Sequence, residues 1–245
     1  MPRQILRWAA WLGPLALLVA WGTMPTMGQG QSAPARPAAR AATAAAPPHV
    51  YGTQNGEWQT YGADLHSTRY SPLDQVNAGN FSKLEVAFRI KTDMLGPRPE
   101  FQLQTTPLMV NGVLYFTAGT RRAVVAADAA TGEMLWMHSM NEGKRGESAP
   151  RQLSGRGVSY WTDGKEHRII YVTPGYQMVA LDAKTGDLVQ SFGTKGVVDL
   201  KENDDQPMDL VTGEVGLHSA PIVVNDVVIV GAAHLAGGVP KSKTN

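Results

Sequence analysis

Residues 106–119, TPLMVNGVLYFTAG, return as residues 220–233, APIVVNDVVIVGAA, and this recurrence decides the fold. Each copy has a proline, a short apolar run, an Asn-Gly or Asn-Asp pair and a second apolar run. Two runs of β-forming residues separated by such a pair read as a hairpin. A second element recurs in the same phase: AADAATGEMLW at 126–136 and ALDAKTGDLVQ at 180–190. Pro107 and Pro221 lie 114 residues apart and Asp128 and Asp182 lie 54 apart, so the first spacing is close to two copies of the second. A period in the middle fifties with about four short strands per copy predicts propeller blades or another all-β repeat.

Between the repeats, Gly157–Trp161 and HRIIYVT at 167–173 predict the hairpin of a second unit, and GYQMVALDAKTG supplies its next strand and turn. Each Asp-x-x-Thr-Gly is a polar turn in which Gly132 or Gly186 takes positive φ without a steric cost. Trp136 lies on the strand leaving the first such turn, in position to pack between units; Gln190 replaces it in the second copy, where packing is weaker or supplied otherwise. Upstream, LEVAFRI at 84–90 alternates like a strand and is placed to close a ring from the N-terminal side. The repeats amount to about two and a half units, about three visible blades, against the four to eight of a closed propeller. The expectation is therefore the leading part of a longer protein or a truncated product.

The ends differ from this region in composition. MPRQILR followed by the 14-residue apolar run WAAWLGPLALLVAW, residues 8–21, reads as a signal peptide over 1–27 or an uncleaved membrane anchor. Residues 28–49 form an Ala/Pro-rich linker, leaving 50–245 as the incomplete propeller domain. Arg3, Arg7, Arg36 and Arg40 are the only ionised side chains before residue 47, so the rest carries 22 − 4 = 18 basic against 21 acidic residues. No basic cluster interleaved with aromatics exists, and nucleic acid is not an expected partner. Cysteine is absent, which excludes disulfides, thiolate metal sites and a c-type haem attached to this chain. An electron leaving it passes to another protein or domain.

WQTYGADLHSTRYSPLDQV at 58–76, the two hairpins, AADAATGEMLW and GRGVSYW at 155–161 together resemble the N-terminal portion of the pyrroloquinoline quinone (PQQ)-dependent alcohol and glucose dehydrogenases. GRGVSYW leans toward the membrane glucose dehydrogenase branch. The resemblance runs nearly without break from Glu57 to Val230. It implies an eight-bladed propeller that binds PQQ and a divalent cation, usually calcium, oxidises an alcohol or aldose, and delivers electrons to ubiquinone or a cytochrome. It further implies a periplasmic or secreted location with possible membrane association. Quinone chemistry needs cationic or amide donors around the carboxylates and carbonyls of the cofactor.

By this resemblance Arg156 approaches the quinone, its guanidinium matching an oxygen pair. Gln104 stands where the family commonly has a glutamate touching the cofactor. His218 matches a threonine-like contact, as a donor or as a bulky channel filler, with Ser219 beside it. Each has a plainer reading: Arg156 as a surface arginine in a Gly-rich turn, Gln104 as a polar residue before a strand, Ser219 as a strand-start hydroxyl.

Three departures stand against the pattern. Pro150 and Arg151 occupy the place of the adjacent cysteines of alcohol-oxidising members, and Gln152 that of the histidine of the glucose branch. Ala236 replaces the first cation-binding carboxylate, and neighbouring His234 suits calcium poorly. The family's catalytic aspartate falls after Asn245, so no residue of this chain is assigned a catalytic or metal-binding role. Asp204 and Asp205 read as a solvated loop, and no nucleophile, base and orienter group together for hydrolysis. A noncatalytic propeller that binds or assembles proteins is the alternative function.

Overall fold

A computed structural model describes residues 52–203 and 207–233, all within a compact unit running from Ala44 to Asn245. The signal or anchor segment, the linker, Asp204, Asp205, His234 and Ala236 lie outside the described residues. Ten strands account for most of the regular structure. β1 (Leu108–Val110), β2 (Val113–Ala118), β3 (Ala123–Asp128) and β4 (Met134–His138) form an antiparallel sheet in chain order. The short helix α1 (Lys144–Glu147) leads to a second such sheet: β5 (Ser159–Thr162), β6 (His167–Val172), β7 (Gln177–Asp182) and β8 (Val197–Asp199). The hairpin of β9 (Ile222–Val224) and β10 (Val227–Ile229) opens a third unit.

The recurring sequence thus folds as recurring structure. Asn111 and Asn225 take the same left-handed conformation, φ 49° and 53°, in the β1–β2 and β9–β10 turns, as asparagine tolerates. Asp128 Oδ1 accepts the amides of Ala130 and Thr131, and Asp182 Oδ1 those of Lys184 and Thr185, which closes both Asp-x-x-Thr-Gly turns identically. A third copy went unread in the sequence: Asp209 Oδ1 accepts the amides of Val211 and Thr212 before Gly213.

The main core joins the sheets. Leu108, Val110, Tyr115, Val124 and Ala126 from the first pack with Val158, Tyr160, Ile169, Tyr171, Val179 and Leu181 at the second. Trp136 crosses between the units as its position predicts: its indole N–H donates to Ala183 O at 3.1 Å, and its ring covers Gly186. Tyr115 donates to the same carbonyl at 3.0 Å.

One expectation meets a different outcome and another is met. Residues 84–92 have no regular secondary structure and form no strand ladder among the described residues. Phe88 nevertheless sits on Gly132 as Trp136 sits on Gly186, so this segment takes the place of an outer strand preceding the first unit. In the second unit, where Gln190 stands for the aromatic, the fourth strand keeps only a bridge between Leu181 and Leu188 and resumes as β8 after an excursion. Val189 and Phe192 from that excursion pack with Ile170, Ala180 and Val223, supplying the burial that Gln190 lacks.

Candidate functional site

Gln104, Arg156 and His218 each stand just before the first strand of a unit, preceding Leu108, Ser159 and Ile222 respectively. The repeat therefore brings residues distant in sequence to one end of neighbouring sheets. His218 Nε2 and Gln104 Oε1 are 2.7 Å apart, a hydrogen bond spanning 114 positions. With the glutamine oxygen as acceptor, Nε2 carries the proton. Nδ1 of the same ring is buried without a partner among the described residues. Between these two residues runs the loop of the middle unit: Gln104 N donates to Ser154 Oγ at 3.4 Å, and Thr106 N donates to Arg156 O at 3.0 Å.

Arg156 is half-buried, which removes its reading as a free surface arginine. Its guanidinium is the main reason that the Tyr61 phenol is held below its usual pKa, with Thr106 adding to the effect. His218 is also held below the ordinary imidazole value, first by burial and then by the positive charges of Arg122, Arg156 and Arg151. Cations thus converge on one end of the units, with a neutral imidazole among them. Such a field suits an anion carrying oxygen acceptors.

The other candidates fare unevenly. Ser219 is exposed. Gln152 is engaged elsewhere, accepting from Arg98 Nη2 at 2.8 Å and donating to Glu147 O at 2.9 Å. Arg151 is exposed, though its carbonyl is held from within. His138 packs edge-on against Tyr171, and His167 bonds Tyr160 at 2.5 Å, both structural roles. Among the described residues no three His, Cys, Asp or Glu group as ligands for a metal ion.

Tyr61, Glu100, Arg122 and Ser154 surround the site and escaped the sequence reading. Tyr61 lies inside the WQTYG motif, and Arg122 is a charge in a turn leading into an unbroken apolar strand. Those were the available signals.

The family model of the PQQ glucose/ethanol/alcohol dehydrogenase β-propeller domain matches residues 58–244. The chain belongs to this family. This PQQ-family chain is 34% identical over 205 residues to the glycerol dehydrogenase large subunit of Gluconobacter thailandicus, covering 79% of its own length and 27% of that protein. It is 30% identical over 207 residues to the quinoprotein glucose dehydrogenase of Escherichia coli (strain K12), covering 77% and 25%. Among solved structures it resembles the quinohemoprotein alcohol dehydrogenase from Comamonas testosteroni, with a TM-score of 0.56, 27% identity, and coverage of 73% of this chain and 23% of that one. The family chain thus spans about a quarter of the length of the relatives it matches. The all-β, partial-propeller reading of the repeats agrees with that share.

Proposed function

We propose that the chain supplies one sector of the cofactor cradle of a PQQ-dependent dehydrogenase that oxidises an alcohol or aldose and passes electrons to a quinone or cytochrome. The observation that carries this reading is the convergence of Gln104 and His218 through a 2.7 Å hydrogen bond, with Arg156 of the intervening unit beside them. The site fits the cofactor on its own chemistry. PQQ is a planar quinone bearing carboxylates; Arg156 offers a guanidinium, Gln104 an amide, and His218 a buried, unpartnered Nδ1. When bound, the quinone accepts the electrons that leave the substrate's carbinol carbon as it becomes a carbonyl. Arg156 would hold an oxygen pair of the cofactor, while Gln104 keeps the His218 ring oriented.

The glycerol, alcohol and glucose named for the relatives share a hydroxyl-bearing carbon, which supports this substrate class. Calcium or another divalent cation accompanies the cofactor in this reading. The apolar N-terminal segment supports a periplasmic or secreted protein, anchored or cleaved. The chain spans about a quarter of the length of its relatives, and cofactor binding is the part of the activity that this reading assigns to it.

Titrating the chain with PQQ by fluorescence quenching tests the reading. Saturable binding is expected, weakened about tenfold or more in Arg156→Ala, the loss of a charge-assisted hydrogen bond. No saturable binding, or equal affinity in the variant, overturns it.

A further inference from the structure

Arg122 is the most deeply placed cation near the site, 3% exposed, in the turn between β2 and β3. Its donors end on four carbonyls: Nε on Leu153 at 3.2 Å, Nη2 on Arg151 at 3.0 Å, and Nη1 on Val172 at 2.9 Å and Leu217 at 2.8 Å. One side chain therefore binds the loop leading to Arg156, the end of β6 and the residue before His218. Among the described residues it makes no ion pair with a carboxylate. Burial lowers its pKa to about 10, against the opposing influence of Glu142, Tyr171 and Glu100, so it stays charged at neutral pH.

Glu100, 9% exposed, holds the same loop by its amides. Its Oε1 accepts from Ser154 N at 2.9 Å and its Oε2 from Gly119 N at 2.7 Å. The conformation held between these charges is not a relaxed one. Leu153 has φ 68°, which a branched side chain rarely adopts. Gly155 has φ 67°, and a Cβ added there would lie 2.7 Å from Arg122 Nε. Arg156 is the next residue.

The geometry points to Arg122 and Glu100 as positioning residues that fix the 151–155 loop and the carbonyl preceding His218, and so aim Arg156 and His218 into one site. This rests on the reading of Arg156 and His218 as cofactor residues, and adds the device that holds them. Arg122 acts on the site in two ways. Its hydrogen bonds set the backbone, and its charge bears on the His218 ring.

Arg122→Met, Arg122→Lys and Glu100→Gln variants of the 245-residue chain test the assignment by amide hydrogen exchange and by NMR titration of His218. The reporter amides are Ser154, bound to Glu100, and Thr106, bound to the Arg156 carbonyl. In Arg122→Met and Glu100→Gln these exchange roughly tenfold faster or more, while amides of β6 and β7 keep their rates. The His218 pKa rises in Arg122→Met and stays near its original value in Arg122→Lys, which retains the charge. Exchange that quickens evenly through both sheets, or a His218 titration indifferent to the charge at 122, overturns the assignment. Should Arg122→Met fail to fold, Arg122→Lys and Glu100→Gln still decide it, because local opening at Ser154 is required of Glu100→Gln. PQQ titration of the same samples separates the two claims: an unaltered chain that ignores PQQ sinks the functional reading, whereas local exchange alone judges the positioning.

Discussion

His218 shows what a single residue contributes and what it costs. Its folded-state pKa lies below its unfolded value, so the unfolded chain binds more protons as the pH falls. Stability from this group is complete above about pH 6.5, the usual imidazole value, and is lost as the pH drops below it toward the folded-state value. His138, also depressed by burial, adds a loss of the same sign. Thermal melts between pH 7.5 and 5.5 are expected to show a shallower loss of Tm in His218→Gln than in the unaltered chain; parallel curves would show that the ring charges without penalty. Gln104, Arg156 and His218 were legible because a family pattern marks their positions. Arg122 and Glu100 were not: a buried charge answered by backbone carbonyls or amides leaves no partner residue to recognise in the sequence. Only the folded backbone brings those acceptors together.

Among the strands and turns, the telling feature is the seating of an aromatic ring on the turn glycine of the following unit: Phe88 on Gly132 and Trp136 on Gly186. Gly186 has φ 77°, and a Cβ there would fall 2.6 Å from the indole, so conformation and space both require glycine. Gly186→Ala should therefore destabilise the chain by about 2–4 kcal/mol, combining left-handed strain with overpacking, as read from urea unfolding. An unchanged midpoint would mean that the ring moves aside freely. The period and both Asp-x-x-Thr-Gly hairpins were visible in the sequence because they are local. The broken fourth strand of the second unit was not, since the Val189 and Phe192 packing that replaces the missing aromatic depends on β6, β7 and the third-unit hairpin. Phe88 was likewise read as part of a strand, although its seat on Gly132 is what places the segment.

At the scale of the molecule, the two four-stranded sheets share the largest core, with Tyr115 and Val124 packed among Tyr171, Val179 and Leu181, and each carries a smaller cluster on its other face. The two four-stranded sheets should then unfold in a single transition, with tryptophan fluorescence and far-ultraviolet circular dichroism tracing the same curve. Two separated transitions would assign each sheet its own stability. The Arg145–Asp199 pair, at 2.6 Å and largely buried, ties the connector before the second sheet to that sheet's last strand and supports the same cooperativity. The forward reach of side chains also gives the molecule an order of assembly in time. Whether the chain emerges from a ribosome or an export channel, it does so N-terminus first. Trp136 must wait 47 residues for the carbonyl of Ala183, and Gln104 must wait 114 for His218. The first unit is born with its outer Trp136 unsheltered until its successor arrives, so a pause in delivery between residues 136 and 183 would leave a tryptophan in water, a natural handle for a chaperone. Gln104 and His218 meet only near the end of this sequence of events, and any earlier release from such a chaperone would leave the candidate site half made.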